Sequence, residues 1–151
     1  MGIDKDIHQY NFRNDRQRAS VNLLFTYGWM MEQIKQFLAP YDLTPQQFNI
    51  LRILRGSYPH PLSTLQIRER MLDKMSDTSR IVDRLVSKGF VKKGTCKKDR
   101  RLVDVLISEK GRRLLEQLDA HQEQLDSIVG NLSQKEAAAL SDLLDKIRSS
   151  E

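Results

Sequence analysis

Residues 74–108 read KMSDTSRIVDRLVSKGFVKKGTCKKDRRLVDVLIS, and this stretch constrains the fold more than any other. Ser76, Asp77, Thr78 and Ser79 supply the short polar side chains that open helices. Ile81, Val82, Leu85 and Val86 follow at helical spacing as an inner stripe, with Ser76 as the expected cap. Lys88-Gly89 then ends the helix with a cation and a glycine. Phe90-Val91 and residues 102–107 are apolar enough for two strands, and residues 94–101 must turn between them. The turn and its flanks carry Lys92, Lys93, Lys97, Lys98, Arg100 and Arg101. A hairpin so repulsive at its tip costs stability unless an anion lies against it.

A short helix followed by a cationic hairpin is the sequence pattern of a winged helix-turn-helix, which grips duplex DNA at two places. Charge placement agrees. Residues 64–113 hold fifteen Lys/Arg against seven Asp/Glu, a net of +8, while the rest holds ten against thirteen, a net of −3. The positive charge is therefore concentrated where the helix and hairpin lie, as expected of a polyanion-binding surface rather than an evenly solvated one.

The punctuation divides the chain into six helices and one hairpin, a mainly α fold with a small antiparallel β-wing. The first helix is expected over residues 9–38, ended by Ala39-Pro40. Its apolar positions Val21, Leu24, Phe25, Met31, Ile34, Phe37 and Leu38 recur at helical spacing. At about 1.5 Å per residue it is roughly 45 Å long, too long for a small lobe to cover, so a partner is expected. Thr44-Pro45-Gln46-Gln47 starts a second helix as a capping box, with Leu43 and Phe48 stapled across it, and Gly56 ends it. Ser63 or Thr64 caps a third, bearing Leu65, Ile67, Met71 and Leu72. After the hairpin, Ser108 caps a fifth helix that carries Leu114, Leu115, Leu118, Leu125, Ile128 and Val129 as far as Gly130-Asn131. Ser133 and Glu136 form a second box, opening a sixth helix with Leu140, Leu143, Leu144 and Ile147.

In the reading helix, Ser76, Asp77, Thr78 and Ser79 stand where backbone amides and the helix dipole favour a phosphate. Arg80 and Arg84, four apart, share a face and reach far enough for guanine O6 and N7. Asp83 is expected to hold an arginine or a neighbouring helix, and an ion pair with Arg84 is the plain alternative. Lys97 and Lys98 suit phosphate contacts, which position without specifying.

Four segments carry a family likeness: LTPQQFNILRIL (residues 43–54), SRIVDRLVSKGFVKK (79–93), DRRLVDVLIS (99–108) and EKGRRLLEQL (109–118). Together, in order, they resemble the MarR family of bacterial transcription regulators. The resemblance implies an obligate homodimer: residues 1–40 a dimerisation helix, 41–108 the winged helix-turn-helix, 109–151 further dimerisation helices. It implies that Arg101 enters the minor groove while Asp99 orients its guanidinium and Arg100 lies beside it. It also implies a near-palindromic double-stranded operator, repression, and release by a small aromatic effector, for which Phe25, Tyr27, Trp29 and Phe48 are candidates.

Other classes fare less well. A single cysteine, Cys96, excludes an intrachain disulfide and suits a reducing cytoplasm. Neighbouring lysines lower a thiol pKa, so a redox sensor through Cys96 is an alternative. The peroxide sensors of the resembled family, however, place their cysteine in the first helix, where this chain has none. A winged helix used only as a protein–protein module predicts a neutral wing tip. His8, His60 and His121 are scattered, so no metal or other cofactor is expected. No phosphate loop, zinc-protease motif or nucleophile elbow appears, and no enzyme is expected. Nor does any apolar run suggest a membrane span.

Overall fold

Side-chain caps set most helix starts. The computed structural model describes residues 2–150. Thr44 and Gln47 form the expected capping box at the head of a helix over Pro45–Ser57, and Ser63 with Gln66 forms another before Thr64–Arg70. Ser108 accepts the Gly111 amide ahead of Glu109–Asp119, and the Ser133–Glu136 box opens Gln134–Arg148.

In chain order the elements are α1 (Ile3–Asp6), α2 (Asp15–Leu38), α3 (Pro45–Ser57), β1 (Leu62–Ser63), α4 (Thr64–Arg70), α5 (Thr78–Ser87), β2 (Val91–Thr95), β3 (Val103–Ile107), α6 (Glu109–Asp119), α7 (Gln122–Asp126) and α8 (Gln134–Arg148). Among the described residues eight α-helices stand where six were expected. The long helix starts at Asp15 rather than residue 9, because the Asn14 side chain accepts the Gln17 amide at 2.9 Å and fixes the start there. The expected fifth helix divides at Ala120-His121. There the His121 amide bonds Leu118 at 3.0 Å, a tightened last turn that stops the α pattern. The α4 helix stops at Arg70. Met71 turns extended, and Leu72, expected within this helix, lies beyond its end and is exposed.

The hairpin pairs Val91 with Ile107 and Thr95 with Val103. An unforeseen third strand, β1, pairs Leu62 with Val105, giving the order β1-β3-β2. Two residues are too few to show a period of two, so β1 left no signature in the sequence.

The core lies in the central lobe. Ile50, Leu51 and Leu54 of α3, Ile67 of α4, Val82 and Leu85 of α5, Val105 and Ile107 of β3 and Leu115 and Leu118 of α6 are all fully buried, together with Leu38 at the end of α2. Each contributes about 2 kcal/mol of burial. The outer helices contrast with this. In α2 only Leu38 is buried, and in α8 no residue is. Leu24, Phe25 and Tyr27 of α2 and Leu140, Leu143 and Ile147 of α8 are exposed. None of the described helices is long and apolar enough to cross a membrane.

Candidate nucleic-acid interface

The reading helix α5 is opened by Asp77, whose carboxylate accepts the Arg80 amide at 3.2 Å. Ser76, the expected cap, instead donates its hydroxyl to the Asp73 carbonyl at 2.7 Å, closing the turn that precedes the helix. Thr78, expected among the outward hydroxyls, is 4% exposed, and its buried hydroxyl has no partner among the described residues. It starts the buried face that continues through Val82 and Leu85, so it has no reach toward a ligand. Ser79, Arg80, Asp83 and Arg84 are exposed on the remaining surface.

Among the described residues Arg80 and Arg84 make no ion pair, so both guanidinium groups are available. Asp83 pairs with neither arginine. It accepts from Lys93 of β2 at 2.7 Å and so ties the wing to the reading helix. Opposite charges ten residues apart gave no sequence signal for this tether. The pair is exposed, so replacing Lys93 with methionine changes global stability by less than about 1 kcal/mol. Amide exchange across β2 nevertheless speeds up in that variant; unchanged exchange would show that the tether holds nothing.

At the wing tip Arg101 is 90% exposed, yet its geometry is fixed. Its Nε donates to one Asp99 oxygen at 3.1 Å, its terminal nitrogen to the other at 3.2 Å, and its backbone amide to the first at 3.0 Å. The side-chain bonds, then the backbone bond, hold the Asp99 carboxyl below its ordinary value. A depressed carboxyl pKa places the stabilisation above the usual aspartate value and removes it as pH falls through the lowered one. The bridge is therefore intact throughout the neutral range. Lys97, Lys98 and Arg100 are exposed around it, and Cys96 is half-buried, its amide bonded to the Leu102 carbonyl at 3.1 Å. At the wing base the Ser108 hydroxyl donates to the Gly89 carbonyl at 2.7 Å while accepting the Gly111 amide at 3.1 Å. One side chain thus joins the end of the reading helix to α6.

The four aromatic candidates are not brought together. Phe48 sits in the core beneath the Arg52 guanidinium, 5.5 Å from its ring centre. Phe25 and Tyr27 are exposed on α2. Trp29 lines a groove of about 340 Å³ with Gln33, Gln36, Phe37, Gln124, Ser127 and Ile128. A larger groove of about 620 Å³ lies between the end of α2, the start of α3 and the reading helix. Its lining includes Lys35, Thr44, Arg84, Ser87 and Lys88. Lys88 reaches from α5 across this groove to the Asp42 carbonyl and to Gln47 Oε1.

Two core helices, a reading helix and a basic wing made by two strands of a three-stranded sheet define a winged helix-turn-helix protein. Residues 43–103, which span that lobe, match the model of the MarR family. The chain is 29% identical over 120 residues to the multiple antibiotic resistance protein MarR of Escherichia coli, covering 76% of this chain and 79% of that one. A mutant of the same Escherichia coli protein complexed with operator DNA superposes with a TM-score of 0.81 at 24% identity, over 93% of this chain and all of that one. BpsR of Bordetella bronchiseptica, solved in a study of how 6-hydroxynicotinic acid regulates its DNA binding, superposes with a TM-score of 0.80 at 22% identity, over the same shares. At those identities the superpositions show the fold alone. The chain has a winged helix-turn-helix fold, and its central lobe is similar to the MarR family of DNA-binding transcription regulators.

Proposed function

We propose that two copies of this chain bind a near-palindromic operator and repress transcription from it. The observation that carries the reading is Arg101, exposed at the wing tip and clamped in one orientation by Asp99. A surface arginine loses rotamer freedom when it binds; the paired bonds to Asp99 bias Arg101 toward one orientation and offset part of that cost. A narrow minor groove, with its raised negative potential, attracts such a group. Ser79, Arg80 and Arg84 then face the major groove, with Asp77 at the helix mouth, while Lys97, Lys98 and Arg100 meet phosphates.

The dimer follows from what α2 and α8 leave uncovered. Two amphipathic helices with almost no buried residue need a partner, and a second copy supplies both faces at once. On this reading residues 1–40 and 109–151 form the dimerisation body and 41–108 the DNA-binding lobes. Half-sites then lie about 10 bp apart, centre to centre. A small aromatic acid in the groove beside Arg84, Lys35 and Lys88 would draw Arg84 from DNA and shift the spacing of the two reading helices. The 6-hydroxynicotinic acid that regulates BpsR is an acid of this kind.

Selection of bound sequences from a random duplex pool tests the reading. A palindrome is expected. With Lys97, Lys98 and Arg100 of each lobe on phosphates, about six charges are neutralised, and log affinity falls against log salt with a slope of about −5. No enriched sequence, or a slope shallower than about −2, contradicts it.

A further inference from the structure

Two apolar side chains stand in the open beside the reading helix. Leu72 is 88% exposed and Met75 93%, more than any other large hydrophobic residue described. They belong to neither α2 nor α8, whose bare faces the dimer covers. Both lie in the turn between α4 and α5.

That turn is tightly built. The Leu72 amide donates to Asn49 Oδ1 at 2.9 Å, and the Met75 amide to Asp73 Oδ1 at 2.9 Å. The Ser76 hydroxyl closes on the Asp73 carbonyl at 2.7 Å, and the Lys74 ammonium donates to the Arg68 and Glu69 carbonyls. Large apolar groups held in water on a fixed backbone add nothing to folding, and their surface stays free to be buried against a ligand that meets this turn.

Met75 lies two residues before Asp77, the cap of the helix that carries Ser79 and Arg80. A surface that meets the first turn of α5 meets Met75 as well. If that surface is the major groove, it offers one apolar group, the thymine 5-methyl. An unbranched, polarizable thioether fits against such a group with little demand on shape. We propose that Met75, flanked by Leu72, packs on a thymine methyl in each half-site and so takes part in choosing the operator. The inference rests on the DNA-binding reading above. A protein partner is disfavoured as occupant because it would also cover Ser79 and Arg80.

The test uses the full-length protein and the duplex recovered by selection, with each thymine replaced in turn by deoxyuridine, which removes only the methyl group. Wild-type protein is expected to lose about fourfold in affinity for each half-site methyl removed at one position. Met75→Ala should bind the unmodified duplex with that loss already present and show no further loss at that position, with Leu72→Ala read on the same panel. Identical uracil profiles for wild type and Met75→Ala, or no sensitive thymine, overturn the inference while DNA binding stands; the turn would then face a protein. Wild type that binds no duplex overturns both.

Discussion

Arg101→Ala binds the operator about 30- to 150-fold more weakly than wild type and melts at the same temperature. The magnitude comes from losing one arginine contact at each of two wings, about 1 to 1.5 kcal/mol apiece. The unchanged melting follows from where the side chain sits. Among the described residues its side chain bonds to Asp99 alone, and it is almost fully exposed. Asp99→Asn should give a smaller loss in the same direction, because the guanidinium is kept but its orientation is not. A gel shift or anisotropy titration at physiological salt reads both. Wild-type affinity in Arg101→Ala would remove the wing tip from the DNA contact.

Gly111→Ala is expected to be the most damaging single methyl in the lobe. A Cβ there would lie 2.3 Å from the Phe90 carbonyl oxygen and 2.8 Å from Ile107 Cγ1. Neither neighbour yields easily. The Phe90 carbonyl is held by the Ser108 amide at 2.9 Å, and Ile107 is fully buried on β3. The Gly111 amide is itself tied to the Ser108 hydroxyl. Relief requires α6 to move off the wing base, which breaks that junction. We expect a loss of about 2 to 4 kcal/mol and a melting point lower by roughly 10 °C. Gly56→Ala is the control, since a Cβ on α3 at that position meets nothing within 4 Å. It should leave stability unchanged or raise it by up to about 1 kcal/mol. Equal melting of Gly111→Ala and wild type would show that α6 is not locked against the wing.

Much of this architecture was legible because local chemistry and tertiary structure agree. The boxes at Thr44 and Ser133, the cap at Ser108 and the Lys88-Gly89 stop each sit where their side chains demand. Of the stripe Ile81, Val82, Leu85 and Val86, the middle pair points into the core and Ile81 packs at its edge, whereas Val86 falls past the inward arc and is exposed. The misreadings have physical causes. Ser76 and Asp77 are both good caps, and the contact that frees Asp77 for the role is a hydrogen bond from Ser76 back to Asp73. Thr78 looked like one more outward hydroxyl, but the helix phase set by that cap turns it into the core. The division at Ala120-His121 carries no glycine or proline, so nothing in composition marked it. The tether between Asp83 and Lys93 depends on how the hairpin folds back, which spacing alone does not encode. The wing pair Asp99 and Arg101 is local, two residues apart, and its geometry agrees with what the family resemblance implied.

The claim on which the rest depends is that the bare faces of α2 and α8 belong inside a dimer. Sedimentation equilibrium of the purified full-length protein, from micromolar concentration downward, tests it most directly. Twice the chain mass throughout the folded range is predicted, with dissociation and loss of helical signal occurring together. A single-chain mass with the helical signal intact would contradict that claim.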